Sequence, residues 1–326
     1  MSSTEGRRTT TENGEGVGPE AVAEFLRAVR EGVEEGLGPL SAAQRAAAGM
    51  PDAFQDALVR AGRRLRGEYT EDEWGFDEEF AETVTPAFQF LYDVWWRVKS
   101  TGVENVPSHG RAVLVANHAG SLFPFDASMM AAAIRNEHPA PRWPRFMVLD
   151  WAFALPFVST FMRRVGGVPA NPDNAVRLLE RDELVMAFPE GVNGTGKPFS
   201  KRYRLQRFGR GGFVETALRT RSPIVPVAVV GSEEIYPKLG ESESLARLVG
   251  APFVPITPTF PLFGPLGLVP LPSRWRIEFC DPIDLSEHPP EAAEDRQLVF
   301  KLSEQVRDVI QHKLYENLVL RGSAFL

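Results

Sequence analysis

The sequence predicts an α/β fold, in which a central, mostly parallel sheet is flanked by helices and a helical N-terminal subdomain precedes it. Three observations support this prediction. Short apolar runs such as Ala112–Ala116 and Ile224–Val230 lack alternating polar residues, as strands buried on both faces do. Segments with helical apolar spacing separate these runs along the chain. Hydrophobic residues make up 43% of the 326 residues, which is enough for a sizeable core.

Composition divides the chain into three predicted parts. Residues 1–19 are rich in Ser, Thr, Gly and Glu, and we predict that they form a disordered tail. Residues 20–80 are predicted to be a helical N-terminal region, with a helix at 54–66 and an acidic linker at 71–79. Residues 81–326 form the predicted α/β domain.

Strands and helices are predicted to alternate in the α/β domain. Apolar runs indicate strands at residues 112–116, 145–149, 183–188 and 224–230, and a late strand is predicted at residues 274–279. Helical apolar spacing indicates helices at residues 85–99, 124–135, 156–164, 174–181, 213–220 and 292–320. This alternation predicts a sheet covered by helices on both faces.

Net charge and cysteine content limit the partners and the compartment that suit this protein. The net charge of −7 does not favour a nucleic-acid partner, because nucleic acids attract basic surfaces. The single cysteine, Cys280, cannot form an internal disulfide, which suits a reducing compartment. No apolar run reaches the roughly 18 residues that a spanning helix requires, and residues 1–19 lack the apolar core of a signal peptide. We therefore predict a cytoplasmic protein without a membrane span.

A histidine follows the first apolar run of the α/β domain. His118 lies in the loop after the strand, where ligands and catalytic groups gather in α/β sheets. Imidazole has an ordinary pKa of about 6.5 and accepts a proton from an attacking hydroxyl at neutral pH. Asp126 lies at the start of the next helix and can orient the imidazole if the loop folds back. The alternative is a loop histidine beside an aspartate that only stabilises the helix N-terminus.

Residues 188–198 form a second cluster after another apolar run. Three glycines surround Lys197, so the backbone can approach a ligand closely. The order is not that of a P-loop, because Pro198 follows the lysine. Glu190 either binds a polyol hydroxyl or steadies an active-site loop, and the alternative is a turn with a capping carboxylate.

A third cluster is basic, and glycines follow it before a predicted helix. Its cations suit a phosphate or the polyphosphate of a coenzyme, and the alternative is a solvated charged face. The basic residues are Lys201, Arg202, Arg204, Arg207 and Arg210.

Other catalytic motifs are absent from the sequence. It has no G-x-S-x-G nucleophile elbow, and its five histidines lack metal-ligand spacing. No glycine-rich dinucleotide fingerprint follows a strand. The sequence therefore predicts neither a metal site nor a bound cofactor.

The order of the clusters resembles the glycerolipid acyltransferase superfamily, in particular its lysophosphatidic acid acyltransferase group. The similar features are Asn117-His118 with a downstream Asp126, then Phe188-Pro189-Glu190-Gly191, then Ile224-Val225-Pro226-Val227. Residues 166–171 and 209–213 resemble two further blocks of that family. The resemblance extends over about residues 95–283 and implies that residues 81–326 are an acyltransferase domain.

The resemblance implies transfer of a fatty acyl group from acyl-CoA or acyl carrier protein to a lysophospholipid or other glycerolipid hydroxyl. His118 would be the general base, Asp126 would support it, and no metal would take part. A backbone N–H near Gly120 would stabilise the oxyanion. Val225 and Pro226 would line or support the acyl channel. Together with the clusters above, the substrate-binding residues are expected to be Asn117, Gly120, Glu190, Gly191, Lys197, Arg202, Arg204, Val225 and Pro226.

The spacing of the proposed catalytic pair departs from the family pattern. Seven residues separate His118 from Asp126, which exceeds the usual separation. The pair can meet only if residues 120–124 loop out.

Two arginines that the family associates with the acceptor's phosphate are also missing. Val192 and Asn193 stand where threonine and arginine are common, and residues 167–174 contain no arginine. Either other cations replace them or the acceptor is neutral, such as a diacylglycerol or another alcohol. The predicted replacements are Lys197, Arg202 and Arg204.

Amphiphilic substrates imply that the protein is peripherally associated with a membrane surface. Trp95, Trp96 and the proline-broken apolar residues 260–269 are candidates for docking on the bilayer. The alternatives are that the rings pack on the catalytic domain and that residues 260–269 form a buried lid.

Two other functions are compatible with the same residues. A non-catalytic lipid-binding or lipid-transfer protein on this fold would account for the unusual spacing of His118 and Asp126. An acyl-CoA thioesterase would use water as the acceptor and release free fatty acid without an acceptor lipid.

Overall fold

The computed structural model of the protein describes residues 19–52, 54–55, 59, 71–119, 123–154, 158–250 and 252–325. The chain divides into two compact units, residues 1–70 and residues 71–326. The predicted disordered tail lies outside the described residues except for Pro19, and so does most of the predicted helix at 54–66.

Two helices, α1 (Pro19–Glu34) and α2 (Pro39–Ala48), belong to the first unit. They pack closely at Gly32, where an added Cβ would lie 2.9 Å from the Cβ of Ala42. The rings of Phe25 and Phe54 also meet, with their centroids 5.3 Å apart. The predicted N-terminal helices are therefore present.

The second unit is built around a sheet. Its strands are β1 (Lys99–Thr101), β2 (Ala112–Ala116), β3 (Arg145–Val148), β4 (Gly167–Pro169), β5 (Leu184–Ala187), β6 (Ile224–Val230), β7 (Gly240–Glu241), β8 (Pro255–Ile256) and β9 (Arg276–Phe279). Seven of them form one sheet in the order β1-β9-β6-β2-β5-β3-β4, and β7 pairs with β8 separately. Neighbours in the large sheet are parallel except β6 and β9.

Helices connect the strands. They are α3 (Glu78–Phe90) with a π-helical continuation (Leu91–Trp95), α4 (Phe125–Glu137), α5 (Asp150–Phe153), α6 (Val158–Arg164), α7 (Pro172–Glu180), α8 (Val192–Thr195), α9 (Gly212–Thr220), α10 (Glu243–Val249) and α11 (Arg296–Arg321). Short 3₁₀ turns lie at Val103–Asn105, Phe199–Lys201, Ser232–Glu234, Gly264–Leu268 and Pro290–Glu294.

The hydrophobic core lies on both faces of the sheet. Val113 and Val115 of β2 belong to the cluster on one face, together with Ile310 of α11. Leu114 belongs to the cluster on the opposite face, together with Met130 of α4. Successive strand residues point to opposite faces, so an unbroken apolar strand serves two cores. The predicted α/β fold with a mostly parallel sheet is confirmed.

Three central strands place their carboxyl ends side by side. Val115 of β2 lies in register with Ala187 of β5 on one side and with Pro226 of β6 on the other. Because the three strands are parallel, the loops that leave them meet at one edge of the sheet. Such an edge is where α/β folds commonly bind ligands.

The predicted linker at 71–79 belongs instead to the second unit. Trp74 is buried, and its indole N–H donates to Asn174 Oδ1 over 3.3 Å. Asp72 Oδ2 accepts a hydrogen bond of 2.6 Å from the buried guanidinium of Arg145. The boundary therefore falls at residue 70 and not at residue 80, because these side chains pack on the sheet domain.

The helix predicted at 85–99 begins and ends earlier than expected. It starts at Glu78, and Lys99 already belongs to β1. Trp96 is completely buried, and its ring stacks on Trp275 with centroids 4.8 Å apart. Trp96 is therefore not available for docking on a membrane, and its ring packs in the core of the α/β domain, as the alternative stated.

Residues 260–269 lie at the surface and do not form the buried lid that was the alternative. Leu262 is 77% exposed and Leu266 is 76% exposed. Trp95 lies near the end of this segment, since its indole N–H donates to the carbonyl of Pro270 over 2.9 Å. None of the helices in the described part of the chain is long and apolar enough to cross a membrane.

Candidate active site

The structure brings His118 and Asp126 together at the carboxyl end of β2. His118 Nδ1 lies 2.7 Å from Asp126 Oδ2. Asp126 is completely buried in the first turn of α4, and the backbone N–H groups of Ala119 and Ala127 also donate to its two oxygens, each over 2.9 Å. These bonds hold the carboxylate in place, so the longer loop between the two residues does not prevent their contact.

Other contacts fix the position of His118. Its backbone N–H donates to Glu190 Oε1 over 3.0 Å, and its ring lies against Phe188 with centroids 4.6 Å apart. Gly194 packs directly behind it, because an added Cβ there would lie 2.8 Å from the carbonyl oxygen of His118. The side chain of His118 remains 18% exposed, so the imidazole is oriented and still accessible.

His118 lines a cavity of about 710 Å³ at this edge of the sheet. Its walls come from the ends of β3 and β5, from α6 and from the loop before α9. Among the described residues, the only ionisable side chains in the lining are His118 and Arg210. Most of the remaining lining is apolar, for example Phe146, Met147, Leu149, Phe161, Phe188, Phe213 and Phe253. The volume lies within the range of small-molecule sites.

Glu190 and Lys197 form a buried ionic cluster beneath the cavity. Glu190 Oε2 accepts from the backbone N–H of Gln206 over 2.6 Å and from Lys197 Nζ over 3.4 Å. Lys197 Nζ also lies 3.1 Å from Glu233 Oε1. These side chains are bonded to the protein, which favours the interpretation that Glu190 steadies the loop that carries His118. Lys197 Nζ is likewise bonded to two carboxylates.

Glu233 completes this cluster at the end of β6. Burial raises the pKa of Glu233 from 4.5 to about 7, and the neighbouring Lys197 opposes that rise. A hydrogen bond from the backbone of Tyr203 also opposes it. Two carboxyl groups therefore share one ammonium group away from water, where an unpaired charge would be costly.

Several predicted substrate-binding residues do not reach the cavity. Asn117 is completely buried, and its side-chain amide exchanges two hydrogen bonds with the backbone of Val229. Val225 and Pro226 are core residues of β6 and are not among the lining residues. Asn117 joins the ends of β2 and β6, and all three residues lie in the core and not on the cavity wall.

The predicted phosphate-binding cations are also placed elsewhere. The Arg202 guanidinium lies over the ring of Phe199, 4.5 Å from its centroid. Arg204 is exposed and does not line the cavity. Of the predicted glycines, Gly191 lines the cavity, whereas Gly120 lies outside the described residues.

Arg210 is the cation of the basic cluster that the structure places at the cavity. The sequence pattern alone does not distinguish Arg210 from its basic neighbours. The available signal was the pair of flanking glycines, Gly209 and Gly211, which adopt φ of 39° and 83°. Such values are rare for residues with a side chain, so the two glycines permit a tight turn with one arginine at its tip.

No group of three or more His, Cys, Asp or Glu side chains suited to a metal ion occurs within the described ranges. Cys280 lies in the core, and burial raises the pKa of its thiol to about 12. Its thiol is therefore protonated at neutral pH and is not a nucleophile.

Known proteins resemble this chain over most of its length. The model of the acyltransferase family matches residues 97–230, which include His118, Asp126 and Glu190. An uncharacterised protein of Mycobacterium tuberculosis is 50% identical over 264 residues, covering 81% of this chain and 74% of that protein. An uncharacterised protein of Mycobacterium leprae is also 50% identical, covering 81% of this chain and 72% of that protein.

A solved structure is similar as well. The 1-acyl-sn-glycerophosphate acyltransferase PlsC from Thermotoga maritima matches with a TM-score of 0.48 and 21% identity, covering 76% of this chain and 80% of that chain. The family match and the 50% identity to the mycobacterial relatives confirm the family that the sequence motifs predicted. The chain belongs to the acyltransferase family.

Proposed function

We propose that the protein is a membrane-associated O-acyltransferase that acylates a hydroxyl of a lysophospholipid or another glycerolipid. The acyl donor is a thioester, either acyl-CoA or acyl carrier protein. His118 is the general base and Asp126 orients it. Membership of the acyltransferase family supports the reaction class, and the site geometry supports the residue roles.

The observation that supports this proposal most directly is the position of the His118–Asp126 pair on the wall of an apolar cavity. A fatty acyl chain gains about 0.8 kcal/mol for each CH₂ group that leaves water for such a cavity. The cavity thus favours an acyl chain and holds it beside a base.

The bonding of the imidazole determines the direction of proton transfer. An ionised carboxylate can only accept a hydrogen bond, so we assign the proton of the neutral imidazole to Nδ1, 2.7 Å from Asp126 Oδ2, and the free electron pair to Nε2. Nε2 takes the proton of the acceptor hydroxyl while that oxygen attacks the thioester carbonyl carbon. The tetrahedral intermediate then collapses, the C–S bond breaks, and the proton passes from Nε2 to the departing sulfur. The products are an ester and a free thiol.

Asp126 and Glu190 have different roles in this scheme. The Asp126 carboxylate stabilises the imidazolium that forms when His118 takes a proton. Glu190 is a positioning residue, because it bonds to the backbone of His118 and not to the ring.

Membrane association follows from the chemistry of the substrates. Long-chain donors and lysolipids are amphiphiles that partition into bilayers, so the protein must meet them at a lipid surface. The exposed apolar residues at 260–269 are suited to that contact.

The experiment that tests the function is product identification by mass spectrometry. Purified protein is incubated with a palmitoyl thioester and a panel of phosphorylated and neutral acceptors, each presented in mixed micelles. Ester formed only when both donor and acceptor are present is the expected result.

Two other outcomes would contradict the proposal. Release of free palmitate at the same rate with and without acceptor would identify a thioesterase. Binding of acyl lipids without any turnover across the panel would identify a lipid-binding protein.

A further inference from the structure

Arg210 is the one cation among the described residues that line the cavity, and no described Asp or Glu lines it. The lining is otherwise apolar apart from His118 and a few uncharged polar groups. An anion entering this cavity therefore meets one positive charge and no opposing carboxylate.

Arg210 is exposed, and buried residues flank the turn that carries it. Phe208 before the turn is buried, and its ring meets that of Phe213 edge-on with centroids 6.1 Å apart. Gly211 packs against α11, because an added Cβ would lie 2.7 Å from Val299 Cγ1. The backbone on both sides of Arg210 is therefore held in place, and the arginine emerges at a defined point on the cavity wall.

The guanidinium of Arg210 has no side-chain hydrogen bond or ion pair with any residue of the described part of the chain. Lys197, by contrast, is paired with Glu190 and Glu233. A guanidinium offers a planar set of donors that matches phosphate oxygens bidentately. An unpaired arginine at the wall of a lipid-sized cavity is thus suited to the charged end of an amphiphile.

We infer that Arg210 binds a phosphate group of the substrate, and so takes the place of the two arginines that the family motifs lack here. The inference rests on the proposed function in that the ligand is one of its two substrates. The phosphate belongs either to the headgroup of the acceptor or to the CoA portion of the donor, and both present the same chemistry to the guanidinium.

Equilibrium binding to matched ligands tests this inference. One pair is a lysophosphatidate and the monoacylglycerol with the same acyl chain, and the other is an acyl-CoA and the corresponding acyl-pantetheine. Wild type, Arg210→Ala, Arg210→Lys and the control Arg202→Ala are compared, each after its fold has been checked by thermal unfolding.

We expect Arg210→Ala to bind the phosphate-bearing member of one pair about 10- to 100-fold more weakly, the range for a lost charge-assisted hydrogen bond. Its affinity for the phosphate-free member should change less than about twofold, since the apolar contacts remain. Arg210→Lys should retain part of the affinity, and Arg202→Ala should bind as wild type does. The pair that responds identifies the source of the phosphate.

Arg210→Ala binding all four ligands as wild type does would overturn the inference. Equal weakening toward phosphate-bearing and phosphate-free ligands would also overturn it, since the side chain would then act by packing alone. Because binding is measured without turnover, a phosphate selectivity that depends on Arg210 stands even if the acceptor panel shows no acyl transfer.

Discussion

Glu233 lies in the 3₁₀ turn that follows β6, and three groups surround its carboxyl group. Lys197 faces it directly, Glu190 lies on the other side of that lysine, and the backbone of Tyr203 donates to it. Burial is the largest influence and raises the pKa of Glu233 to about 7. Between pH 4.5 and about 7, the carboxyl group of Glu233 is therefore mostly protonated in the folded protein and mostly ionised in the unfolded chain.

This shift predicts an unusual pH dependence of stability. Between pH 4.5 and about 7, the folded state binds more protons at Glu233 than the unfolded state does, so this residue's contribution to stability falls as pH rises. The free energy of unfolding in urea is measured for wild type and for Glu233→Gln. The wild-type value minus the variant value should fall by at most about 3 kcal/mol as pH rises across this window. The exposed Glu243→Gln is the control and should follow wild type. If the free energy of unfolding changed with pH in the same way for wild type and Glu233→Gln, the pKa of Glu233 would not be raised.

At the scale of elements, the central strands β2, β5 and β6 were predictable because their apolar character is continuous. Residues 224–230 were predicted as a strand with the bounds that the structure shows, despite the proline in the middle. The strands β1 and β4 were missed, since each has three residues and neither contains an apolar run. Their strand conformation depends on pairing with β9 and β3, which are distant in sequence.

The segment at 260–269 supports an element-scale prediction. Leu262 and Leu266 are largely exposed, and we propose that they insert into the interfacial region of a bilayer. The double variant Leu262→Glu/Leu266→Glu should sediment with lipid vesicles at least about tenfold less than wild type, because each leucine loses about 1.5–3 kcal/mol of apolar transfer. Phe300→Glu, an exposed apolar residue on α11, is the matched control. If both variants lost vesicle binding equally, the added charge alone would explain the loss. If the double variant bound vesicles as wild type does, residues 260–269 would not be the docking segment.

At the scale of the whole molecule, the sequence predicted the contact between His118 and Asp126 better than it predicted the surroundings of that pair. His118 and Asp126 were found because they follow a strand and open a helix, and both features are local. The roles of Lys197 and Arg210 were not predictable in this way. Lys197 pairs with Glu233, 36 residues away, and only the folded sheet brings them together. Arg210 differs from its basic neighbours in what it faces, which is a tertiary property.

The assignment of His118 as the general base is tested most directly by kcat/KM for acceptor-dependent ester formation, compared between wild type, His118→Ala and the exposed control His109→Ala. We expect His118→Ala to lose at least about 10²- to 10⁴-fold, the contribution of a positioned general base, while thermal unfolding stays close to wild type and His109→Ala keeps full activity. A folded His118→Ala protein that forms ester at the wild-type rate would contradict the assignment of His118 as the base.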